Sequence, residues 1–332
     1  MNRMAETHTA ESPLEAAAGA AGPHATDAFE LLANETRLAI LLALWEAYDP
    51  RANHNTMSFS DLLDRVGYDS PGNFSYHLEQ LEGQFVQRGP DDEGYELRTT
   101  GLKLVWAVIA GAGVHETDRG PTELDDECPL CGSRIAITYR DGVMYLLCTE
   151  CEGRHPDRHA LDGVVSAMKF DPAGVTDRTP KELLAAVFVA QHRHIRTMFE
   201  GLCSACSGPV DATLDVCSNH DSDGVCQECG REFRSWVHFQ CRVCKDHHGT
   251  APASIPLFHP AVIAFYHDHD VSTQLHADDF ERVQDVMELL MKNHDMEVVS
   301  EDPPRVEVTV SYGGDHLYLS IDETVTVVDV SQ

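Results

Sequence analysis

The sequence SPGNFSYHLEQL runs from Ser70 to Leu81 and is the most informative segment in the first part of the chain. Ser70 suits the N-cap of a helix and Pro71 suits its first position. The apolar residues Phe74, Leu78 and Leu81 recur at helical spacing and predict a buried stripe. The remaining faces carry hydrogen-bonding side chains, namely Asn73, Ser75, Tyr76, His77 and Gln80.

The sequence before this helix predicts three more. DAFELLANETRLAILLALWEA, from Asp27, places apolar residues at helical spacing and predicts two consecutive helices, the second capped by Asn34. SFSDLLDRVG, from Ser58 to Gly67, predicts a short helix that a tight turn separates from the quoted one. A short helix, a tight turn and a helix with a polar exposed face is the arrangement that reading the DNA major groove requires, although a plain helical hairpin is the alternative.

A hairpin and a further helix follow. FVQR and YELR flank GPDDEG and predict two short antiparallel strands, and TTGLKLVWAVIAG predicts another apolar helix. With LLANETRLAILLAL and GNFSYHLEQL, the segment from about 27 to 113 resembles winged-helix repressors of the ArsR type, in the form common among halophilic archaeal regulators. The resemblance implies a winged helix-turn-helix domain that binds double-stranded DNA.

That resemblance implies roles for individual residues. Base contacts would come from the polar faces of the quoted helix, through Asn73, Ser75, Tyr76, His77 and Gln80. Phosphate contacts would come from Arg65, Arg88 and Arg98, each of which could equally be a solvated surface charge.

The chain departs from the family pattern in two places. Metal-sensing members carry a Cys-x-Cys pair on the helix before the recognition helix, and this chain has no cysteine there. The expected wing tip is acidic, with Asp91, Asp92 and Glu93 where phosphate contact would favour Lys or Arg. The first departure argues against arsenic-type sensing, and the second predicts a weak or cation-mediated wing contact.

The charge balance bears on DNA binding. The 332 residues include 24 Lys and Arg against 55 Asp and Glu, a formal net charge of -31 that disfavours a polyanionic partner. An acidic, lysine-poor composition resembles proteins of halophilic archaea, which work where charges are screened within about 3 Å at 1 M salt. Such screening would remove the electrostatic repulsion between the acidic chain and DNA. If the chain is an ordinary acidic mesophilic protein, which is the alternative, the repulsion remains. Neither a membrane span nor a basic signal segment is present, so a cytoplasmic protein is expected.

All eleven cysteines follow the predicted winged helix, and the first four form one group. CPLC and CTEC flank two strand-like stretches that meet at Asp141-Gly142, a favoured hairpin turn. Two such knuckles on one hairpin predict a zinc ribbon with the ligands Cys128, Cys131, Cys148 and Cys151. Four thiolates suit Zn2+, although iron uses the same ligands, and a redox dithiol or free thiols are the alternatives to a metal. With four protein ligands the metal would be structural rather than catalytic.

The second group offers eight ligands, enough for two metals. CSAC, CSNH, CQEC and CRVC allow three pairings, but the dense turn signal SNHDSDG indicates that the stretches on either side are two strands of one hairpin. The favoured pairing is therefore nested, with Cys203, Cys206, Cys241 and Cys244 on one zinc and Cys217, His220, Cys226 and Cys229 on the other. His247 and His248 are alternatives to His220. Together the groups predict about three structural zinc ions per chain.

These elements predict an α+β protein. The expected parts are a disordered acidic tail (1–26), the winged helix-turn-helix (27–115), a zinc ribbon with the following helix (116–200), a two-zinc hairpin region (201–256), and C-terminal helices with a small antiparallel sheet (257–332). The tract QHRHIR, at 191–196, is interpreted as a solvated helix end rather than a metal site.

No nucleotide-binding loop, nucleophile elbow or HExxH motif occurs in the sequence, so an enzyme is not expected. The favoured function is a sequence-specific DNA-binding transcription regulator, dimeric through the helices that flank the winged helix, with a zinc-stabilised C-terminal region. The alternative is an interaction scaffold that binds a protein of the transcription machinery without direct base readout.

Overall fold

The computed structural model describes residues 23–112, 117–154, 160–221 and 224–332. Residues 1–22 of the expected tail lie outside this part, and the first described helix begins at Pro23. The chain divides into two compact units, unit 1 at 1–113 and unit 2 at 114–332. Both units combine helices with antiparallel strands, so the chain is a mixed α and β protein.

Unit 1 consists of helices around a two-stranded hairpin. Its helices are α1 (Pro23–Leu32), α2 (Glu35–Glu46), α3 (Phe59–Val66), α4 (Pro71–Leu81) and α5 (Thr99–Ala107), with a π-helical turn at Val108–Ala112. Between α4 and α5, strand β1 (Val86–Arg88) pairs with β2 (Tyr95–Leu97).

The local signals at the start of these helices act largely as the sequence suggests. The Asn34 side chain accepts a hydrogen bond from the backbone of Arg37, and Ser58 accepts one from Asp61. Gly67 ends α3 in the left-handed conformation, at φ 68°, which turns the chain toward α4. Ser70 occupies the N-cap of α4, but its side chain makes no capping hydrogen bond.

One apolar core holds unit 1 together. Phe74, Leu78 and Leu81 of α4 are completely or almost completely buried, together with Leu62 of α3. The ring of Phe74 contacts Phe59 edge-on at 5.5 Å between centroids. Because α4 is fixed through this apolar side, the orientation of its polar faces is fixed as well.

Unit 2 begins with a four-stranded antiparallel sheet in sequential order. Its strands are β3 (Arg119–Glu127), β4 (Arg134–Arg140), β5 (Val143–Cys148) and β6 (Val164–Lys169). Asp141 and Gly142 form the two-residue turn between β4 and β5, with φ of 50° and 76°. The sequence predicted only the two central strands of this sheet.

The 20-residue helix α6 (Pro180–Phe199) packs against this sheet. Thr179 and Glu182 form a capping box at its start, and its first half is buried over Leu183–Val187. A second antiparallel sheet follows, of β7 (Val210–Val216), β8 (Ser235–Cys241) and β9 (His247–Thr250). Strands β7 and β8 pair from Val210 with Cys241 to Val216 with Ser235, and they form the long hairpin expected between the outer and inner cysteine knuckles.

The last part of unit 2 is a helical segment and a third antiparallel sheet. It contains a 3-10 segment (Pro252–Phe258), α7 (Pro260–Asp268), α8 (Phe280–Lys292), β10 (His294–Glu301), β11 (Pro304–Tyr312), β12 (Asp315–Ile321) and β13 (Val327–Ser331). Its strands lie in sequential order, and their inward side chains Val306, Val308 and Leu319 are completely buried. In the part of the chain that the structure describes, no helix is long and apolar enough to cross a bilayer.

Candidate metal centres

Three clusters in unit 2 each bring four ligand atoms within 4.8 Å of one another. The groups are Cys128, Cys131, Cys148 and Cys151; Cys203, Cys206, Cys241 and Cys244; and Cys217, His220, Cys226 and Cys229. All eleven cysteines are free thiols and all belong to these clusters. The second and third clusters have the nested pairing, with the outer knuckles together and the inner knuckles together.

The first cluster lies at the end of the β4–β5 hairpin. Cys131 and Cys148 are 3.4 Å apart between sulfur atoms, and Cys128 and Cys151 are 3.9 Å apart. A tetrahedral metal with bonds of about 2.3 Å to sulfur separates its ligands by roughly 3.8 Å, so these distances fit such an ion. The backbone N–H groups of Glu150 and Cys151 point at the sulfur of Cys148 from 3.4 and 3.2 Å.

The second cluster closes the base of the β7–β8 hairpin. Cys203 lies 3.6 Å from Cys244, and Cys206 lies 3.5 Å from Cys241, again between sulfur atoms. Cys241 is the last residue of β8 and pairs with Val210, so strand register brings the two knuckles together. Because both knuckles sit at one end of a long antiparallel pair, a ligand exchange with the inner knuckles is geometrically excluded.

The third cluster is at the opposite end of the same hairpin and contains one imidazole. His220 Nδ1 is 3.5 Å from the sulfur of Cys229, and its Nε2 is 3.1 Å from the carbonyl oxygen of Glu232. A carbonyl can only accept, so Nε2 carries the proton and Nδ1 has a free lone pair for a metal. His247 and His248, the alternative ligands, are in none of the three clusters.

Hydrogen bonding favours one thiolate in each cluster. The pKa of three cysteines is lowered: Cys131 to about 6 by hydrogen bonds from Ser133, Cys226 to about 7 by the backbone N–H of Cys229, and Cys241 to about 6 by that of Cys244. By contrast, burial raises the pKa of Cys151 to about 12 and that of Cys217 to about 11. A central dication would compensate the further negative charges, and its binding would release protons.

The sequence identified the side chains of these clusters but not the backbone groups that support them. The N–H groups of Gly208 and Val243 each point at a cluster sulfur from 3.4 Å, and the Glu232 carbonyl orients His220. Such contacts depend on the local turn geometry of each knuckle, which no residue pattern specifies.

The predicted DNA-contacting side chains of α4 divide into two sets. Asn73, Tyr76 and Gln80 are exposed, Tyr76 by 56%. Ser75 is half-buried and its hydroxyl donates to Glu79 at 3.2 Å. His77 is also half-buried, and its ring lies edge-on to that of Tyr68 with the two centroids 5.9 Å apart. Burial, with a smaller effect from Arg37, lowers the pKa of His77.

The three arginines predicted to contact phosphate differ in whether a carboxylate already pairs with them. Arg65 pairs with Glu46 at 3.1 Å. Arg88 lies 3.4 Å from Glu82 and its guanidinium stacks over the ring of Tyr95. Arg98 is exposed and has no ion-pair partner within the described ranges. A phosphate would therefore have to compete with carboxylates for two of the three side chains.

Fold and sites together define a two-unit protein whose second unit carries three four-ligand clusters suited to metal ions. The chain belongs to the family described as Domain of unknown function (DUF7351), whose model matches residues 125–327 and so covers more than half of it. Residues 25–108 match a second family model, Domain of unknown function (DUF7347). No curated protein and no solved structure matches the chain.

The number of clusters sets an expected metal content. Elemental analysis of protein purified in concentrated salt should find about three tetrahedrally bound ions per chain, because each cluster supplies a complete ligand set. Replacing His220 by Ala should lower the content toward two, whereas His247→Ala, outside the clusters, should leave it unchanged. A wild-type content near one would contradict the assignment of the second and third clusters.

Proposed function

We propose that this protein is a sequence-specific DNA-binding transcription regulator in which unit 1 acts as a winged helix-turn-helix of the ArsR type. The observation that carries the proposal is the two-sided character of α4. Phe74 and Leu78 fix the helix in the core, and Asn73, Tyr76 and Gln80 project from its exposed side. Amide side chains in this position suit bidentate hydrogen bonds to adenine in the major groove.

The surroundings of α4 support the same reading. Helix α3 ends at a left-handed glycine and leads by a short turn into α4, and the β1–β2 hairpin stands where a wing is expected. The resemblance to halophilic archaeal regulators accounts for DNA binding by a chain of charge -31, since concentrated salt screens repulsion. In this proposal the protein works in the cytoplasm.

Unit 1 also offers surfaces for a homodimer. Phe29 of α1, Leu38 and Leu42 of α2 and Trp106 of α5 are exposed by 40% to 69%. These helices flank the α3–α4 pair in the chain, and exposed apolar groups of this size favour a second copy as partner. A two-fold dimer would place two α4 helices for a palindromic site.

The metal clusters have a structural role in this proposal, with about three Zn2+ per chain. Sulfur-rich tetrahedral sets suit zinc, and no coordination position is left for a substrate when all four ligands come from the protein. The chain is accordingly proposed to be a regulator rather than an enzyme.

A second candidate function is an interaction scaffold that binds a protein of the transcription machinery. The engagement of Arg65 and Arg88 by carboxylates favours it, because these side chains would otherwise contact phosphate. The exposed acidic residues Asp92 and Glu93 at the hairpin tip favour it as well, since they would repel the DNA backbone.

A binding experiment separates the two candidates. Duplexes enriched by the protein from a random pool should contain a palindromic motif, and affinity is measured at about 0.5 to 3 M KCl, where screening lengths are a few Å. Asn73→Ala or Gln80→Ala should weaken binding to the motif by about 1–3 kcal/mol, roughly 5- to 150-fold. Gln274→Ala removes an exposed amide of unit 2 and should have no effect. Wild-type affinity in both α4 variants would show that α4 is not the reader, and failure to enrich any duplex would favour the scaffold.

A further inference from the structure

Unit 2 contains a cavity of about 780 Å³ that adjoins the first metal cluster at Cys128 and contains no other residue of the three clusters in its wall. Its walls come from the first sheet, α6, α8, the β8–β9 edge and the 3-10 segment, represented by Ile135, Leu184, Met287, Trp236 and Phe258. Volumes of 300–1,000 Å³ are typical of pockets that enclose a small organic ligand, and such pockets favour the junctions between packed elements.

Most of the cavity wall is apolar. Leu184 and Phe188 of α6 face the cavity with Met287 and Met291 of α8. The indole of Trp236 also lines it and lies close to Gly249, where an added Cβ would be 2.4 Å from the indole Nε1. Gly249 therefore leaves the space in which this ring packs. A wall of this composition buries hydrocarbon or aromatic surface of a ligand.

Two histidines add hydrogen-bonding groups to the wall. His192 of α6 stacks near Phe258 at 4.8 Å between ring centroids, and His248 of β9 lies 5.2 Å from the ring of His194. The imidazoles of His192 and His248 have no hydrogen-bond partner in the ranges that the structure describes. Burial lowers the pKa of His192 to about 4, so its imidazole is neutral. The interpretation of QHRHIR as a solvated helix end is therefore wrong for His192, since the cavity wall encloses it.

A buried acceptor without a partner lies on the same wall. Asp126 Oδ1 accepts a hydrogen bond from Gln284, but Asp126 Oδ2 is shielded from solvent and has no partner among the described residues. A buried unpaired carboxylate oxygen costs free energy that a ligand donor would recover.

The remaining charged groups of the wall largely neutralise one another. Arg154 pairs with Glu232 at 2.9 Å, and Lys292 pairs with Glu288. The Arg154 guanidinium also lies 5.2 Å from the ring of Phe233. The third cation of the wall, Arg231, donates to His238 and lies over the ring of Trp236. Because four carboxylates and three cations line the wall, it carries no net positive charge for an anionic ligand, and burying an unpaired anion there would be costly.

We propose that this cavity is a binding site for an uncharged, mostly apolar small molecule that carries a hydrogen-bond donor. The apolar wall encloses the body of the ligand, and Asp126 Oδ2 accepts from its donor. His192 and His248 are available for a second polar group. The site makes unit 2 a ligand-binding module, and this assignment is independent of DNA binding by unit 1.

The probe for this site is N-phenyl-1-naphthylamine, an uncharged apolar fluorophore with one N–H donor. In the full-length metal-loaded protein with Trp45→Phe and Trp106→Phe, Trp236 is the one remaining tryptophan of the chain. Saturable one-to-one binding should quench Trp236 and enhance the emission of the probe. Its sulfonated analogue, 1-anilinonaphthalene-8-sulfonate, has the same ring system with a negative charge and should bind about tenfold more weakly or worse. Equal affinity for the two compounds would overturn the assignment of an uncharged ligand.

Variants locate the probe. Met287→Trp fills part of the cavity and should weaken binding of the probe about tenfold or more. Binding to the variants is measured by exciting the probe directly and recording its emission. Val299→Trp adds the same side chain at an exposed site of β10 and should leave binding unchanged. Circular dichroism and metal content show whether each variant is folded. If Met287→Trp is unfolded, Met291→Trp takes its place, because Met291 lies at a half-exposed position of the wall. Unchanged affinity in a folded cavity-filling variant, or no saturable binding to wild type, would overturn the proposal.

The donor is tested separately. The N-methyl derivative of the probe lacks the N–H and should bind more weakly than the parent to wild type. Asp126→Asn should reduce this difference, because the orphaned carboxylate oxygen is the proposed acceptor. A preference for the parent that is identical in wild type and Asp126→Asn would contradict the role of Asp126.

Discussion

Removing the metal from the full-length protein should unfold unit 2 and leave unit 1 folded. A structural zinc site contributes about 10–16 kcal/mol to the folded state, so three such sites together exceed the roughly 5–15 kcal/mol by which a typical domain is stable. All three clusters lie in unit 2. During titration with a chelator, Trp236 in the Trp45→Phe, Trp106→Phe variant reports on unit 2, whereas Trp45 and Trp106 in a Trp236→Phe variant report on unit 1.

A single ligand substitution should reproduce part of this effect. Cys148 ends β5 and is buried in the core that also contains Leu183 and Leu184 of α6, so Cys148→Ser should disorder the first sheet and loosen the helix against it. Glu150→Ala changes an exposed side chain in the same knuckle and should keep the wild-type melting temperature. A metal-free protein whose unit 2 melts as the metal-loaded form does would contradict the structural role of the clusters.

The ligand pairing of the second and third clusters was predictable because turn-forming residues mark the connection between the two strands. SNHDSDG is the one dense turn signal between the inner knuckles, and it required the flanking stretches to be antiparallel strands. The observed register, with Val210 opposite Cys241, agrees with that prediction and brings the outer knuckles together, while Ser222 and Asp223 of this stretch lie outside the described residues. Long-range ligand sets were thus predictable because a local feature determined them.

Several outer strands of the sheets were not predictable in the same way, although VTVVDV was predicted as a strand and overlaps the outer strand β13. β3 has a single buried residue, Leu124, among nine, and it contains Pro121. An edge strand needs no alternation of apolar side chains and tolerates proline, so its sequence has no strand pattern. β10 follows α8 after one residue, Asn293. Its acidic residues make the strand pattern of the partly buried Met296 and Val298 hard to recognise in the sequence.

The candidate DNA surface was only partly predictable from helix periodicity. His77 lies three residues after Phe74, close to the buried stripe, and the ring of Tyr68 covers it. The pairing of Arg65 with Glu46, 19 residues away, depends on how α2 and α3 pack. The cavity of unit 2 joins residues from Asp126 to Lys292, and no short sequence pattern records such a convergence.

Phe74→Ala should be the most destabilising single change in unit 1. Its side chain has no exposed surface, and its ring contacts Phe59 at 5.5 Å and Tyr68 at 5.8 Å between centroids. Truncating a buried phenylalanine costs about 3–5 kcal/mol, because the contacts are lost and a cavity is left. That cost is a large part of the stability of a typical domain of this size, about 5–15 kcal/mol. Denaturant melts followed by Trp45 and Trp106 in the Trp236→Phe background measure the loss.

The neighbouring residue provides the control for this prediction. Asn73 is exposed on the same helix, so Asn73→Ala should change the stability of unit 1 by about 0.5 kcal/mol or less. In the Trp45→Phe, Trp106→Phe background, the Trp236 transition of unit 2 should be the same in both variants, because Phe74 belongs to the core of unit 1 alone. Equal stability of the Phe74 and Asn73 variants would mean that α4 is not anchored through its apolar side. The two-sided helix on which DNA reading by unit 1 depends would then lose its structural basis.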